Sequence, residues 1–283
     1  SSSSRGLGDV YKRQDKKVPF FDHEHAVLSA PVRHLFMIGV TWYLKQNKKP
    51  LNVLEIGSWF GASTLSWAEG LIKYSSKDSC ITCIDAWKPF FNMDLHANKT
   101  YAMEMERLLK SDFAYNIFLH NIGTLNGKIN AKHIRGQSED ILPSLENNFF
   151  DVVFIDADHT YEPVKRDITE SLRLIKDGGI ICGDDLNLQL HEIDKNNAEI
   201  NKNKDFIKDP KTNKNFHPGV TLAVFEIFGE VSSWGGFWAM QKKNNEWKKL
   251  SLKNMDIVYP SHFTKEHLEK AQSHFRDIKH SLY

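Results

Sequence analysis

The chain has 283 residues, 41% hydrophobic and 26% charged, and its 37 Lys and Arg against 36 Asp and Glu give a formal net charge of +1. That balance supplies no field to recruit nucleic acid or an anionic membrane, and it fits a globular chain of one large domain or two small ones. No apolar run approaches the ~18 residues of a membrane-spanning helix and no signal-peptide core opens the chain; three cysteines, an odd number, point to a reducing, cytoplasmic compartment.

Residues 1–14, SSSSRGLGDVYKRQ, are serine-rich and then aperiodic; they read as a disordered leader or a cloning or sequencing scar, outside the fold. Residues 20–50 carry Val27, Leu35, Phe36, Val40 and Leu44 at helical spacing, split early by Pro31, and predict a helical cap. A short apolar strand over 51–56 ends at Gly57, a helix covers 62–74, and a second strand over 80–84 ends at Asp85. Cys80 and Cys83 fall on opposite faces of that strand and are expected to be ordinary core cysteines. A helix follows over 95–110. An apolar strand-and-turn region then leads to His133–Arg135, to Gly136-Gln137-Ser138, and to a short helix stopping near Pro143.

The alternation continues with a strand over 151–155, a helix over 161–175 with Val164, Ile168, Leu172 and Ile175 on one stripe, and a strand over 180–182. Thr160 suits the N-cap of that helix, and Asp177-Gly178-Gly179 its stop. Residues 187–215 are rich in Asn, Lys and Asp and poor in large apolar side chains, which predicts a mobile insertion or lid. A helix over 220–228 and strands over 230–234 and 236–242 come next. Their aromatic group Trp234, Phe237 and Trp238 is expected in the core or in a homo-oligomer contact. A final amphipathic helix lies within 255–283. Strand–helix alternation of this kind implies a doubly wound α/β domain.

Two segments carry the chemistry. FDVVFIDADHTY at 150–161 and GGIICGDDL at 178–186 are β-branched runs that stop on carboxylates, the pattern of buried parallel strands with chemistry at their carboxyl ends. A right-handed crossover would make them neighbours, roughly 5 Å apart. Asp156, Asp184 and Asp185 would then converge, and their mutual repulsion calls for a cation or a proton. Oxygen-only donors favour Mg²⁺ over Zn²⁺, with Ca²⁺ or Mn²⁺ as substitutes. His159, three residues beyond Asp156, is placed to act as general base near neutral pH. Tyr161 and His217 are further candidates for substrate contact, and Asp158 for a capping or supporting carboxylate.

The other segment is VLEIGSWFGAST at 53–64. Its turn reads E-x-G-x-x-x-G, not the G-x-G-x-x-G of a dinucleotide site, and an acid before the first glycine would repel a pyrophosphate and favour a cationic or amine-bearing cofactor. Asp85 closes the second strand, where such folds place an acid that holds ribose hydroxyls.

Together with CITCIDAW and RGQSED, these motifs resemble, in order, the class I S-adenosylmethionine-dependent methyltransferases. Within them the chain is most similar to the metal-dependent O-methyltransferase branch with the macrocin-type sugar enzymes, and more distantly to the catechol and caffeoyl-CoA enzymes. The resemblance covers residues 52–242 and implies a Rossmann-like sheet of seven strands, the last antiparallel, in a methyltransferase domain over 51–243 with helical N- and C-terminal additions. It implies Glu55, Gly57 and Ser63 around the methionine part of S-adenosylmethionine, Gly61 also at the cofactor, Asp85 at the ribose, and Ala86, Gln137 and Ser138 near the adenine, with Trp87 either flanking the adenine or in the core. Asp156 would serve both the cofactor and Mg²⁺. Catechol-type enzymes usually carry Asp-Asn where this chain has Asp184-Asp185, which leans toward a hydroxyl of a sugar or glycosylated small molecule as acceptor. A catechol or phenolic acceptor, or a cofactor-binding partner subunit without turnover, are the competing readings.

Overall fold

The computed structural model describes residues 18–21, 23, 25–27, 29–45, 49–90 and 99–282. The leader at 1–14 therefore lies outside the described residues, as do 95–98 at the expected start of one helix. In chain order the main elements are α1 (Arg33–Leu44), β1 (Asn52–Ile56), α2 (Ala62–Tyr74), β2 (Cys80–Asp85), α3 (Lys99–Lys110), α4 (Phe113–Gly123), β3 (Asn130–Arg135), α5 (Ser138–Ile141), β4 (Phe150–Ile155), α6 (Tyr161–Leu174) and β5 (Ile175–Gly183). There follow α7 (Lys195–Ile200), β6 (Ile207–Lys208), β7 (Asn215–Phe216), α8 (Pro218–Phe228), β8 (Ser232–Trp234), β9 (Phe237–Lys243), β10 (Glu246–Lys249) and α9 (Lys265–Ile278).

The main sheet runs β3-β2-β1-β4-β5-β9-β10, parallel from β3 to β5 and antiparallel at β9 and β10. The expected doubly wound sheet with an antiparallel end is present. Its outermost position is shared: β8 pairs with residues 237–239 of β9 and β10 with residues 240–243, both on the edge away from β5. Successive residues of the central strands serve opposite layers. Val53, Val152, Phe154 and Ile180 pack into one core with α1, α2 and α4, while Leu54, Val153, Ile155 and Ile181 pack into the other with α6 and α8. A sheet buried on both faces cannot alternate apolar with polar, which is why these strands read as unbroken apolar runs.

Three expectations change. Residues 113–123, expected within a strand-and-turn region, form α4, whose buried Phe113, Ala114, Ile117, Phe118 and Asn121 follow a helical period. Its aromatic and β-branched content resembles a strand, and only the docked face distinguishes the two. The strand expected over 180–182 extends back to Ile175, with a register irregularity opposite Phe150 and Val152. The segment 187–215, expected as a mobile insertion or lid, carries secondary structure of its own: it contains α7 and the β6–β7 ladder and buries Leu188, Ile193 and Ala198. Trp234, Phe237 and Trp238 are buried in the chain's own core. So is Cys83, while Cys80 is half-buried, and all three cysteines are free thiols. No helix among the described residues is long and apolar enough to cross a membrane.

Candidate active site

A cavity of about 790 Å³ opens along the carboxyl ends of the parallel strands, where open α/β sheets bind their ligands. One end is framed by the β1–α2 turn. Gly57 leaves β1 with φ +88°, and a Cβ there would lie 2.0 Å from the Asp156 carbonyl oxygen, so β1 and the end of β4 can approach this closely only at a glycine. Asp85 secures the turn from β2. Its Oδ2 accepts the amides of Ser58 and Trp59 at 3.0 and 2.9 Å, and its Oδ1 accepts the Trp87 amide at 2.7 Å. Burial pushes the Asp85 carboxyl up, and these amides oppose the shift. A carboxylate has about four acceptor sites, so Asp85, which also lines the cavity, retains capacity for hydroxyl donors.

Of the residues expected at the cofactor, Gly57, Ser63, Asp85, Ala86, Gln137, Ser138 and Asp156 line the cavity. Glu55 and Gly61 do not. Glu55 is fully buried beneath the turn, where Ser58 Oγ donates to its Oε2 at 2.8 Å and Thr64 Oγ1 donates to the same oxygen. Burial raises its proton affinity, and its geometry is that of a brace tying the turn to α2. Gly61, at φ +86°, precedes α2 and faces Phe118 and Asn121 of α4. Trp87 packs on Phe118 and Tyr115, with ring centroids 4.5 and 5.0 Å away, and belongs to the core. Ser138 donates to Asp167 Oδ1 at 2.7 Å, and burial pushes that carboxyl up to about 6.

The other end of the cavity is charged. Asp156 follows β4, and Asp184 and Asp185 follow β5; one carboxylate oxygen from each lies within 4.8 Å of the others. Both oxygens of Asp184 are buried, and neither meets hydrogen-bond geometry with a partner among the described residues. Burial, then the negative charges of Asp184 and Asp185, raise Asp156 well above the usual carboxylate range. Asp185 goes the other way: burial opposes its charge, but His217, His159 and Arg33 outweigh that and hold it ionised.

Arg33 is the cation that sequence reasoning missed. It reaches in from α1, with Nη1 2.8 Å from Asp184 Oδ1 and 2.7 Å from Asp185 Oδ1, and Nε donating to the Gly235 carbonyl at 2.7 Å. The Asp184 contact is an ion pair between two buried side chains. Gly235 and Gly236 form the two-residue β8–β9 hairpin at φ +60° and +98°. A Cβ on Gly236 would lie 2.2 Å from the Arg33 guanidinium, so the hairpin and the arginine require each other.

His159 sits between two carboxylates, with Nδ1 2.6 Å from Asp205 Oδ1 and Nε2 3.0 Å from Asp185 Oδ2. Burial lowers its proton affinity, but Asp185 and Asp205 outweigh burial and raise it well above the ordinary imidazole range. Asp205 comes from the folded insertion and was also missed; nothing in its Asn- and Lys-rich surroundings marks it. His217, the N-cap residue of α8, donates from Nδ1 to the Asp205 carbonyl at 2.6 Å and lines the cavity. Asp158 caps the start of α6 through the Thr160 amide at 2.6 Å. Tyr161 turns away from the cavity to donate to Glu226.

Residues 54–186 match the profile of a family described as "Methyltransferase domain". That segment is an S-adenosylmethionine-dependent methyltransferase domain. No curated protein matches it. Among solved structures, the methyltransferase is similar to cofactor-bound Rv0187 from MTB, at 17% identity over 82% of this chain and 87% of that one, with a TM-score of 0.46. An O-methyltransferase from Bacillus cereus in complex with SAH gives 19%, 82%, 87% and 0.43. The O-methyltransferase NovP gives 15%, 75%, 80% and 0.49. In this methyltransferase the matched segment runs from β1 to the residues just after β5, and so includes both the turn at Gly57 and the carboxylates at 184 and 185.

The carboxylate set fits a hard divalent cation by its chemistry, since Asp156, Asp184 and Asp185 offer only oxygen and neither buried oxygen of Asp184 meets hydrogen-bond geometry with a partner among the described residues. Arg33 supplies one positive charge to the same cluster.

Proposed function

We propose that this methyltransferase transfers its methyl group to a hydroxyl of a sugar or glycosylated small molecule, with Mg²⁺ held by Asp156, Asp184 and Asp185. The observation that carries the reading is the continuity of one cavity from the Gly57 turn and Asp85 to His159, Asp156 and Asp185. When bound, S-adenosylmethionine supplies an electrophilic methyl group, and a divalent cation supplies positive charge that lowers the proton affinity of an acceptor hydroxyl.

The chain's own residues do the rest. Gly57, Ser63, Asp85, Ala86, Gln137 and Ser138 form the cofactor end, with Asp85 accepting from ribose hydroxyls while its other lone pairs hold the turn. His159 takes the acceptor proton at Nε2 after releasing to solvent the proton it shares there with Asp185, with its Nδ1 proton and ring orientation fixed by Asp205. Arg33 keeps Asp185 ionised and in place. Fixing the acceptor oxygen in line with the methyl group contributes several kcal/mol to the rate, on general grounds of proximity.

A phenolic or catechol acceptor is the second reading, favoured by the rings of Trp59, Phe90 and Tyr101 on the cavity wall, which suit a flat apolar ring. A panel of deoxysugar glycosides and catechols, assayed for a product heavier by one methylene, separates the two. Methylation of glycosides alone supports the sugar reading, and methylation of catechols alone replaces it.

A further inference from the structure

The two histidines do more than flank a carboxylate. His159 lies on the loop between β4 and α6, and His217 caps α8, yet both ring Nδ1 atoms are held by one residue, Asp205, through its carboxylate and its backbone carbonyl, each at 2.6 Å. A carbonyl oxygen can only accept, so the His217 Nδ1 carries its proton there, and in the neutral ring Nε2 is left with the lone pair. The Asp205 carboxylate holds the His159 Nδ1 proton in the same way; the other ring proton is shared with Asp185 at Nε2, and a cation that displaces it meets the Nε2 lone pair. Both Nε2 atoms then face the same partner: they lie 3.0 and 3.7 Å from the two oxygens of Asp185. The ring centroids are 4.4 Å apart at an interplanar angle of 63°, edge to face, and one donor atom from each of His159, His217 and Asp185 lies within 4.8 Å of the others.

Two imidazole nitrogens and a carboxylate, with the remote ring nitrogens anchored by an outer residue, are the composition and the support of a nitrogen-bearing metal site. We propose that His159, His217 and Asp185 form a second divalent-cation subsite, distinct in chemistry from the all-oxygen set of Asp156, Asp184 and Asp185, and selective for a borderline ion such as Zn²⁺ or Co²⁺ over Mg²⁺. Asp205 is its positioning residue. The insertion that supplies Asp205 therefore completes the subsite as well as the wall of the cavity. The two uses of His159 exclude each other, because a ring nitrogen that holds a cation cannot take a proton; an ion on this set and a base at His159 are alternative states of one site.

The test is titration of the metal-free, full-length protein with Co²⁺ near neutral pH, followed by visible absorption. Expected is one equivalent with the intense bands of four- or five-coordinate Co²⁺, displaced by Zn²⁺ and not by excess Mg²⁺. His217→Ala should abolish those bands, Asp156→Asn should keep them, and Asp205→Asn should weaken Co²⁺ binding about 10- to 100-fold. Thermal melting without metal shows which variants are folded, and pulsed electron resonance of Cu²⁺ on the unaltered chain gives an independent readout, with two imidazole nitrogens expected. The proposal is overturned by weak octahedral Co²⁺ bands that survive His217→Ala and vanish in Asp156→Asn, by the absence of nitrogen coupling, or by no stoichiometric binding. Failure of the acceptor reading registers separately, as absent methyl transfer in Mg²⁺ with the Co²⁺ bands intact.

Discussion

The two ends of the cavity are built on different principles. At the cofactor end, one short stretch of chain makes the turn, and a single carboxylate, Asp85, secures it through the amides of Ser58 and Trp59 while also accepting that of Trp87 on its own loop. At the acceptor end the backbone contributes two carbonyls, those of Gly235 and Asp205, which anchor Arg33 and His217. Four segments distant in sequence deliver Arg33, Asp156, Asp184 with Asp185, and Asp205 with His217, and charge holds them together. The first end is set by local hydrogen bonds and tolerates changes in charge elsewhere. The second depends on every partner, because a buried charge left alone costs several kcal/mol.

That contrast predicts a separation of effects. The largest should come at the charged end: removing bound divalent cations with excess chelator is expected to abolish methyl transfer, with Mg²⁺ restoring it, while calorimetry still detects S-adenosylhomocysteine binding. Undiminished turnover in chelator would show that Arg33 alone neutralises the carboxylates. His159→Ala comes next, with turnover expected to fall about 10²–10⁴-fold, the range of a lost general base. Cofactor affinity should barely move; steady-state kinetics beside calorimetry would reveal whether the two ends are in fact coupled.

At the cofactor end the effects should be smaller and of another kind. Asp85→Ala should weaken S-adenosylhomocysteine binding about 10- to 100-fold, equivalent to roughly 1.4–2.8 kcal/mol, and should also lower the melting temperature, since three amides lose their acceptor. Unchanged affinity would assign Asp85 to the turn alone.

The effect furthest from turnover concerns pH, stability and Asp167, beside Ser138. Its folded-state pKa is pushed up to about 6 from an ordinary 3.8, so the folded chain binds this proton more tightly than the unfolded chain. Its contribution to stability is therefore full below about 3.8 and is lost as pH rises through about 6, by an amount up to roughly 3 kcal/mol. Asp167→Asn should flatten that part of the stability profile, as read by urea unfolding between pH 4 and 7. A profile as steep as before would place the responsible group elsewhere.

Much of the fold was legible because its signals are local. Apolar runs ending on Gly57, Asp85, Asp156 and Asp184 marked the four central strands and their functional ends, and a helical stripe marked α6. The segment α4 was not legible, because Phe, Tyr, Ile and Leu in close succession satisfy a strand or a helix until a neighbour buries one face. The folded insertion was hidden for a related reason: it packs by a few residues, Leu188, Ile193 and Ala198, set among many polar ones.

The sequence by itself determined the order of the four central strands β1, β2, β4 and β5, the turn chemistry at Gly57, and the presence of carboxylates at the ends of β4 and β5, all of which follow from residue type and spacing along the chain. It also singled out His159. Only the tertiary structure decided that Glu55 braces the turn from below, that Arg33 crosses from α1 to pair with Asp184 and Asp185, and that Asp205 holds both histidines by their Nδ1 atoms. The physical reason is range. Hydrogen bonds and hydrophobic periodicity act between near neighbours in sequence, whereas a buried ion pair forms wherever folding brings opposite charges together out of water, and nothing in the flanking residues has to record it.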